Sequence, residues 1–262
     1  MKFYEKFAIS ILKQGSVPRH MAFIMDGNRR SATKKGLKKS KGHELGFESL
    51  KRCLEWCLHL GVKIVTVYAF SIDNFKRDKD EVDTIMRLAK EKLLAIAQEN
   101  EFLAKNDIKV KFCGDLNRVQ PDVKQSLEEV EQLTSKYNSL LLNICFSYDS
   151  QFELDTAVKS FLKNEDTTKY STKNAKELAK VHQKFKEHLL VKDDVDLLVR
   201  TSNEIRLSDF LIFQSAFSEL CFIKECWPDI TIMSFLKMIL QYQLNERTIK
   251  EFRNAMRQTS GI

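Results

Sequence analysis

A single carboxylate separates an apolar stretch from a strongly basic one near the N-terminus. The segment FIMDGNRRSATKKG, residues 23–36, reaches Asp26 and then contains two arginines and two lysines but no further acid. Asp-Gly-Asn is a tight turn whose backbone N–H groups can form an anion-binding nest. A lone carboxylate in such a cationic pocket suits Mg²⁺ bridging to diphosphate oxygens, because Mg²⁺ usually takes one or two protein carboxylates. Alone, the motif is more typical of an Asp-Gly turn with a solvated basic loop behind it.

A second polar cluster directly follows the apolar segment VKIVTVYAF. It is FSIDNFKR, residues 70–77, and it supplies Ser71, Asn74 and Arg77. Small polar groups beside an arginine suit phosphate binding or proton transfer. A serine or aspartate helix cap explains the same segment equally well.

A third cluster follows the apolar segment VDLLVR. It is RTSNEIRLSDF, residues 200–210, in which Arg200, Arg206 and Ser208 stand close together. The planar fork of arginine favours multidentate contacts with phosphate, although one such cluster could also be a surface salt-bridge network. If the three apolar segments are strands of one parallel sheet, a polyphosphate ligand explains the three cationic strand ends better than a surface salt-bridge network does. Beside them His43, which opens a helix, is a candidate diphosphate ligand or proton donor.

The elements that must position these clusters alternate between strands and helices. Apolar runs predict strands at residues 20–25, 62–70, 107–114, 139–148 and 195–200. Helical spacing predicts helices at residues 43–60, 78–103, from Pro121 onward, 150–163 and 173–190, with an exposed loop at 163–174. This order predicts an α/β fold with a mostly parallel central sheet flanked by helices. Ligands bind at the carboxyl ends of such strands, where all three clusters fall.

Composition places the chain among soluble single domains. With 262 residues, 43% of them hydrophobic, and no internal repeat or linker, it reads as one domain over residues 1–262. The six cysteines form no CxxC pair and predict buried free thiols. No run is long enough to span a membrane, so we expect a protein that is neither secreted nor membrane-spanning. Residues 1–15 predict an amphipathic helix that lies on a membrane surface or packs on protein; the pattern allows both.

A nucleic-acid-binding module is the alternative from another functional class. The formal charge of +7 and the basic run at 29–41 would suit it. However, the eighteen phenylalanines lie mainly in apolar helix and strand patterns and do not interleave with the basic run, as a base-stacking surface requires. We therefore expect no nucleic-acid partner.

Five motifs in order resemble the signature segments of the cis-prenyltransferases, the undecaprenyl and dehydrodolichyl diphosphate synthases. They are HMAFIMDGNRR, GHELGFESL, YAFSIDNFKR, DLLVRTSNEIRLSDFLIFQ and SELCFIKECWPD, and the resemblance spans roughly residues 18 to 245. Within the family, the sequence looks most like the eukaryotic dehydrodolichyl diphosphate synthase catalytic subunits.

The resemblance implies a fold, a reaction and a set of roles. It implies an apolar tunnel between sheet and helices, and Mg²⁺-dependent condensation of isopentenyl diphosphate onto an allylic primer such as farnesyl diphosphate, giving Z double bonds. By the same resemblance Asp26 handles Mg²⁺, with Glu219 as a further magnesium-associated carboxylate, and Asn74 removes the proton. The resemblance assigns binding of the allylic diphosphate to Gly27, Asn28, Arg29 and Arg30, with support from His43 and Arg77. It places Ser71 near the reacting carbons. It assigns binding of isopentenyl diphosphate to Arg200, Arg206 and Ser208.

Several positions depart from the family pattern. Ser31 and Phe75 replace tryptophans of bacterial members, Lys39 stands in place of an arginine among the substrate-binding residues, and Asn203 replaces a common glycine. SYDSQFE, residues 147–153, stands where bacterial members have a Gly-Gly-Arg turn. The sequence ends RNAMRQTSGI without the family's R-x-G closing motif.

These departures lead to expectations about partners. We expect a dimer in which a divergent accessory subunit supplies the R-x-G tail. A catalytically silent accessory subunit should itself lack Asp26 and the arginines, which this sequence retains. A very apolar product favours peripheral contact with the cytoplasmic face of the endoplasmic reticulum.

Overall fold

The structure is a computed structural model that describes residues 1–98, 101–166 and 175–260. Its strands are β1 (His20–Ile24), β2 (Ile64–Ser71), β3 (Ile108–Cys113), β4 (Leu140–Tyr148), β5 (Leu197–Arg200) and β6 (Glu219–Phe222). Its α-helices are α1 (Phe3–Leu12), α2 (Asn28–Lys34), α3 (Lys39–Leu60), α4 (Lys79–Ala97), α5 (Phe102–Lys105), α6 (Pro121–Thr134), α7 (Ser150–Asn164), α8 (Ala175–Lys186) and α9 (Ile232–Ser260). Short 3-10 helices cover Ile72–Lys76, Leu116–Arg118 and Trp227–Asp229.

The six described strands form one sheet in the order β3-β4-β2-β1-β5-β6. Every neighbouring pair is parallel, so the carboxyl ends of all these strands point to the same edge. This confirms the predicted α/β fold with a central parallel sheet. The predicted strands are all present, and β6 is an additional edge strand in which only Cys221 is buried, so it lacks the continuous apolar run of the buried strands.

Helices cover both faces of the sheet, and β1 shows how the sequence arranges this. Met21 and Phe23 of β1 belong to the larger core cluster, which the apolar faces of α3, α4, α6 and α9 complete. Ala22 and Ile24 point the other way, into a smaller cluster with Val195. Because both faces are buried, the strand is apolar at nearly every position rather than at alternate positions.

Three predicted helices differ from the structure in their bounds, among them the helix expected over residues 173–190, which ends at Lys186. The helix expected over residues 78–103 ends at Ala97, because Gln98 adopts an extended backbone with ψ 160°, and a separate short helix follows at α5. The helix expected from residue 43 begins four residues earlier, at Lys39. Most of the loop expected at 163–174, and the start of the helix expected at 173, lie outside the described residues.

A chain of polar side chains crosses the buried sheet. The Asn143 amide donates to the Thr66 hydroxyl oxygen (3.0 Å), Thr66 Oγ1 lies 2.7 Å from His20 Nε2, and His20 Nδ1 lies 3.0 Å from the Asp194 carbonyl oxygen. A neutral imidazole that donates from Nδ1 and accepts at Nε2 satisfies every partner. Burial lowers the pKa of His20 to about 4, although its bond to the Asp194 carbonyl opposes the shift.

The N-terminal helix packs on its own domain and leaves an apolar stripe outside. Ile9 is buried against the core, and the Gln243 side chain of α9 donates to the Leu12 carbonyl oxygen at 2.7 Å. Phe3 and Phe7 on the other face are 85% and 61% exposed. Among the described residues, no helix combines the length and hydrophobicity that a membrane-spanning segment needs. All six cysteines are free and buried, as expected.

Candidate active site

Asp26 lies just beyond the carboxyl end of β1 and is held by its neighbours. Its Oδ1 accepts from the Gly27 backbone N–H at 2.7 Å, and its Oδ2 accepts from Arg200 Nη2 at 2.8 Å. The Thr201 hydroxyl donates to the Asp26 carbonyl oxygen, and the Trp227 backbone N–H donates to the same oxygen. One third of the side chain stays exposed. The carboxylate is therefore fixed in direction and open to a ligand.

Arg200 joins the end of β5 to the loop that follows it. Besides its contact with Asp26, its Nη1 donates to the Arg206 carbonyl oxygen and to Ser208 Oγ, both at 2.7 Å. Only 4% of its side chain is exposed. Its Nε is buried and has no hydrogen-bond partner among the described residues, and the side chain lines the large cavity, so an N–H donor is left that suits an anion.

Arg30 of α2 also holds the loop after β5. Its guanidinium donates to the Ser202 carbonyl oxygen at 2.7 Å and to Ser202 Oγ at 2.8 Å, and it forms an ion pair with Glu204 at 3.2 Å. Glu204 also contacts the Arg206 guanidinium. The first and third basic clusters are thus bonded to each other.

Glu81 of α4 gathers the cations of the first and second clusters. Its carboxylate lies 2.7 Å from Arg77 Nη1, 3.3 Å from Arg29 Nη1 and 3.6 Å from His43 Nε2. Burial, with Arg77 and Arg29, lowers the pKa of His43 against the opposing effect of Glu81. Sequence reasoning did not single out Glu81, although a carboxylate four residues after Arg77, at the start of a predicted helix, is a candidate ion-pair partner.

Two cavities lie between these groups. The larger, of about 710 Å³, is lined by residues of all three clusters, namely Asp26, Asn28, Arg29, His43, Ser71, Asp73, Asn74, Arg77, Arg200, Arg206, Ser208 and Asp209, together with Tyr68, Asp149 and Gln151. A smaller one of about 210 Å³ adds Gly27 and Arg30. Ser71 and Asn74 are linked by a bond from the Ser71 backbone N–H to Asn74 Oδ1 at 3.3 Å.

An apolar cleft opens from the same place. It has a volume of about 100 Å³ and is lined mainly by side chains of α3, α4, β2 and β4, among them Phe47, Leu88 and Phe146. Asn28 and His43 line this cleft and both polar cavities. Asn28 Oδ1 is buried and accepts no hydrogen bond within the described residues, and the buried His43 Nε2 has only the 3.6 Å contact with Glu81. Buried polar atoms that lack a full hydrogen-bond partner at such a junction suit a ligand site.

Two residues of the predicted site lie elsewhere. Lys39 is the first residue of α3 and is exposed, outside the cavity linings. Glu219 begins β6, level with Leu197 of β5, and accepts from Gln241 and Asn245. At about 3.3 Å per residue along the strands, this is roughly 15 Å from the edge where Asp26 lies. The structure does not bring Glu219 to this cavity, and its association with magnesium stays a prediction.

The carboxylate set suits one type of metal. No three His, Cys, Asp or Glu side chains of the described residues gather into a metal cage. Asp26 faces a cavity lined by arginines, which fits Mg²⁺ because this ion commonly takes one or two carboxylates and completes its shell with water and substrate phosphates.

Comparison with known proteins agrees with this geometry. Residues 24–250 match the family model described as "Putative undecaprenyl diphosphate synthase". The chain is 37% identical to the human dehydrodolichyl diphosphate synthase complex subunit DHDDS, over 97% of this chain and 75% of that protein. It is 40% identical to a dehydrodolichyl diphosphate synthase complex subunit of Schizosaccharomyces pombe, over 93% of this chain and 91% of that one.

Bacterial sequences and solved structures agree as well. An isoprenyl transferase of Thermus thermophilus is 38% identical, over 93% of each chain. The crystal structure titled "probable undecaprenyl diphosphate synthase" from Campylobacter jejuni superposes with a TM-score of 0.70 at 26% identity, over 87% of this chain and 96% of that one. A lavandulyl diphosphate synthase from Lavandula x intermedia shares the fold, with a TM-score of 0.74 at 23% identity over 86% and 95%. The chain therefore belongs to the undecaprenyl diphosphate synthase family, the cis-prenyltransferases.

Proposed function

We propose that this cis-prenyltransferase condenses isopentenyl diphosphate repeatedly onto an allylic primer, farnesyl diphosphate, in a Mg²⁺-dependent reaction that yields a long-chain dehydrodolichyl diphosphate. One observation carries this most strongly. The cationic ends of β1, β2 and β5 line one cavity, and an apolar cleft opens directly from it. A substrate with a charged diphosphate head and a hydrocarbon tail needs both compartments side by side.

The allylic diphosphate would occupy the part of the cavity between α2 and α4. Arg29 and Arg77 are already oriented there by Glu81, and His43 lies beside them. Asp26 would hold Mg²⁺. When bound, this ion would neutralise charge on the oxygens of the departing diphosphate. Preorganised arginines stabilise that leaving charge without reorganising, which is the main electrostatic requirement for ionising an allylic diphosphate.

Isopentenyl diphosphate would bind on the side of β5. Arg206 and Ser208 lie there, in the loop whose backbone and Ser208 hydroxyl accept hydrogen bonds from Arg200. Ser71 and Asn74, on the wall between the two diphosphate positions, are our candidates for guiding the proton that leaves the isopentenyl unit.

The growing chain would enter the apolar cleft. Its lining between α3 and α4 is almost wholly hydrocarbon, so each added isoprene unit would bury apolar surface and exclude water from the reacting carbon. We propose that this cleft widens into the apolar tunnel implied by the resemblance. Lengthening of the bound product would drive that widening.

Incorporation of radiolabelled isopentenyl diphosphate onto farnesyl diphosphate tests the proposal. Product should form only with added Mg²⁺, should stop when the metal is chelated, and should resolve by chain length into a ladder ending in long polyprenyl products. Equal incorporation in the presence of a chelator would exclude the metal-dependent reaction, and release of single-addition products alone would exclude repeated elongation.

We also propose that the active enzyme is a dimer with a divergent accessory subunit. Two relatives are themselves described as subunits of a synthase complex. The edge strand β6 exposes Leu220, and Ile212 and Phe252 are exposed as well. Co-expression with such a subunit should raise turnover strongly and give a co-eluting complex. Equal turnover by the purified chain alone would contradict the heteromer.

Finally, we propose that α1 rests on the cytoplasmic face of the endoplasmic reticulum. Its stripe of Phe3, Phe7 and Ile11 is exposed while its opposite face packs on the domain. Vesicles of endoplasmic reticulum lipid composition should sediment the enzyme, and replacement of the three stripe residues by serine should abolish this without changing the far-UV circular dichroism. Unchanged sedimentation would instead leave the stripe for a protein contact.

A further inference from the structure

The loop after β5 holds an unusual backbone conformation. Ser208, Asp209 and Leu211 have φ angles of 52°, 57° and 49°. Residues with side chains rarely adopt this left-handed region, and such strain persists only where surrounding structure enforces it. Something outside the loop must therefore hold it in shape.

The first turn of α7 supplies bonds to the strained residues. The Ser150 backbone N–H donates to the Asp209 carbonyl oxygen at 2.8 Å, and the Gln151 backbone N–H donates to Asp209 Oδ2 at 3.3 Å. In the other direction, the Ile212 backbone N–H donates to Ser150 Oγ at 3.0 Å. Ser150 is 1% exposed, so water does not replace these partners.

Glu153, one turn further along α7, fixes the far end of the loop. Its carboxylate accepts from Gln214 Nε2 at 3.0 Å, from the Val191 backbone N–H at 2.8 Å and from the Tyr148 hydroxyl at 2.5 Å. It is 1% exposed and has no cationic partner among these contacts. A buried carboxylate is costly unless hydrogen bonds satisfy it, so its three donors and its position are mutually dependent.

The same loop also packs against Tyr68, a residue of the cavity wall. The ring of Phe210 stacks on Tyr68 with centroids 4.6 Å apart, and the Tyr68 hydroxyl lies 3.1 Å from the Tyr148 carbonyl oxygen and 3.4 Å from that of Ser208. Tyr68 and Ser208 both line the large cavity. A shift of the loop would therefore move Arg206 and Ser208 at the cavity wall.

We propose that Ser150 and Glu153 are positioning residues that clamp this strained loop, so that Arg206 and Ser208 face isopentenyl diphosphate in a binding-ready arrangement. They belong to SYDSQFE, the segment that departs from the bacterial Gly-Gly-Arg turn. The inference rests on the proposed function, because it takes the loop to hold isopentenyl diphosphate rather than the primer. Neither residue is in the lining of the two polar cavities.

Steady-state kinetics with both substrates varied separately tests the clamp. Ser150→Ala and Glu153→Gln should each raise the KM for isopentenyl diphosphate about tenfold, since each removes or inverts a buried hydrogen bond to the loop. The KM for farnesyl diphosphate should stay within twofold. Hydrogen–deuterium exchange should accelerate in a peptide covering residues 207–214, a readout that does not depend on turnover.

Matched variants separate the clamp from general destabilisation. Ser126→Ala removes a buried serine of α6 that bonds only within its own helix, and Glu131→Gln alters a carboxylate that bonds the Phe112 backbone on β3. Neither should change the ratio of the two KM values. The inference is overturned if the clamp variants move both KM values together, or leave both KM values and the exchange of residues 207–214 unchanged.

One further variant tests separately whether the loop binds isopentenyl diphosphate, which the clamp inference takes for granted. Arg206→Ala should raise the KM for isopentenyl diphosphate selectively. If it does so while the clamp variants do not, the clamp alone fails. If Arg206→Ala leaves that KM unchanged, the loop does not bind isopentenyl diphosphate, and both the assignment and the clamp inference fall.

Discussion

Arg200 carries a positive charge in an almost fully buried position, and its geometry explains how. One guanidinium edge reaches Asp26 while another nitrogen contacts the Arg206 carbonyl oxygen and Ser208 Oγ. The planar fork reaches these three partners from two separate nitrogens, Nη1 and Nη2, whereas an ammonium would have to reach all three from one. Lysine in the same place would offer a single nitrogen.

Arg200→Lys should therefore lower kcat/KM about 100-fold, which corresponds to about 2.7 kcal/mol of transition-state stabilisation. The charge is kept, so the loss would come from the forked geometry, in which two nitrogens reach three acceptors. Arg118→Lys, at an exposed pair with Asp115, is the control and should change kcat/KM less than twofold. A near-normal kcat/KM for Arg200→Lys would show that only charge matters at this position.

At the residue scale, the sequence was most informative where a polar residue directly follows an apolar strand. Asp26, Ser71 and Arg200 could be expected together because parallel strands end at one edge. The contact of Glu81 with Arg29 could not be expected, because it joins two helices that are far apart in sequence. Glu219 was singled out by its motif, but the motif does not show that it lies at the start of β6, away from the edge where Asp26 lies.

At the scale of elements, α2 and α3 approach so closely that one glycine decides the position of Asn28. A Cβ atom on Gly46 would lie 2.3 Å from Asn28 Oδ1 and 3.1 Å from Trp227 Cδ1. The space beside Gly46 is thus already occupied by the side chain that lines all three cavities.

Gly46→Ala should reduce kcat/KM by at least about tenfold, because it displaces Asn28 from the cavity junction. In an open position the same change would stabilise a helix by roughly 0.5–1 kcal/mol. Glu48→Ala, at an exposed position of the same helix, controls for changes in helix stability. A Gly46→Ala enzyme with a raised melting temperature and full activity would contradict the close approach.

The loop after β5 also explains why Asn203 can stand where the family resemblance implies a glycine. Its φ angle is 61°, and its backbone N–H donates to the Ile223 carbonyl oxygen at 2.8 Å. Asparagine tolerates this conformation better than most residues. The backbone course expected of glycine is therefore kept.

Asn203→Gly should keep activity and melting temperature close to the parent values. Asn203→Val should cost about 1–3 kcal/mol, because a β-branched residue is strongly disfavoured at positive φ. Thermal unfolding measures the difference, which should be several degrees. Equal melting temperatures for the valine and glycine variants would contradict the left-handed conformation.

Element positions were predictable from periodicity, but some ends were not. The strands could be recognised because long apolar runs were bounded by polar turns. The end of α4 at Ala97 and the short edge strand β6 depend on tertiary packing rather than local pattern. The α7 clamp was equally hidden, since its bonds join residues about sixty positions apart.

At the scale of the whole molecule, the buried chain through His20 couples stability to pH. The folded state keeps this imidazole neutral, with its pKa at about 4, whereas the unfolded chain titrates it near its ordinary 6.5. Between these values the unfolded state binds more protons, so stability falls as pH falls. Above pH 6.5 the contribution is fully present.

Lowering the pH from about 6.5 to about 4 should therefore remove up to about 3 kcal/mol of unfolding free energy through His20. Denaturant unfolding at several pH values measures the slope, and His20→Gln, which does not titrate, provides the comparison. The parent should show a steeper loss than the variant within this window. Identical slopes would mean that His20 titrates normally when folded.

Incorporation of labelled isopentenyl diphosphate by an Asp26→Asn variant tests most directly whether the ends of β1, β2 and β5 form one metal-dependent diphosphate site. The variant keeps the size of the side chain but removes the charge that would hold Mg²⁺, so kcat should fall about 1000-fold. Asp122→Asn, on α6 at an exposed ion pair with Lys90 of α4, should retain parent activity. An Asp26→Asn enzyme that elongates at the parent rate, with the same dependence on Mg²⁺, would contradict the claim that Asp26 holds the metal of a diphosphate site formed by these strand ends.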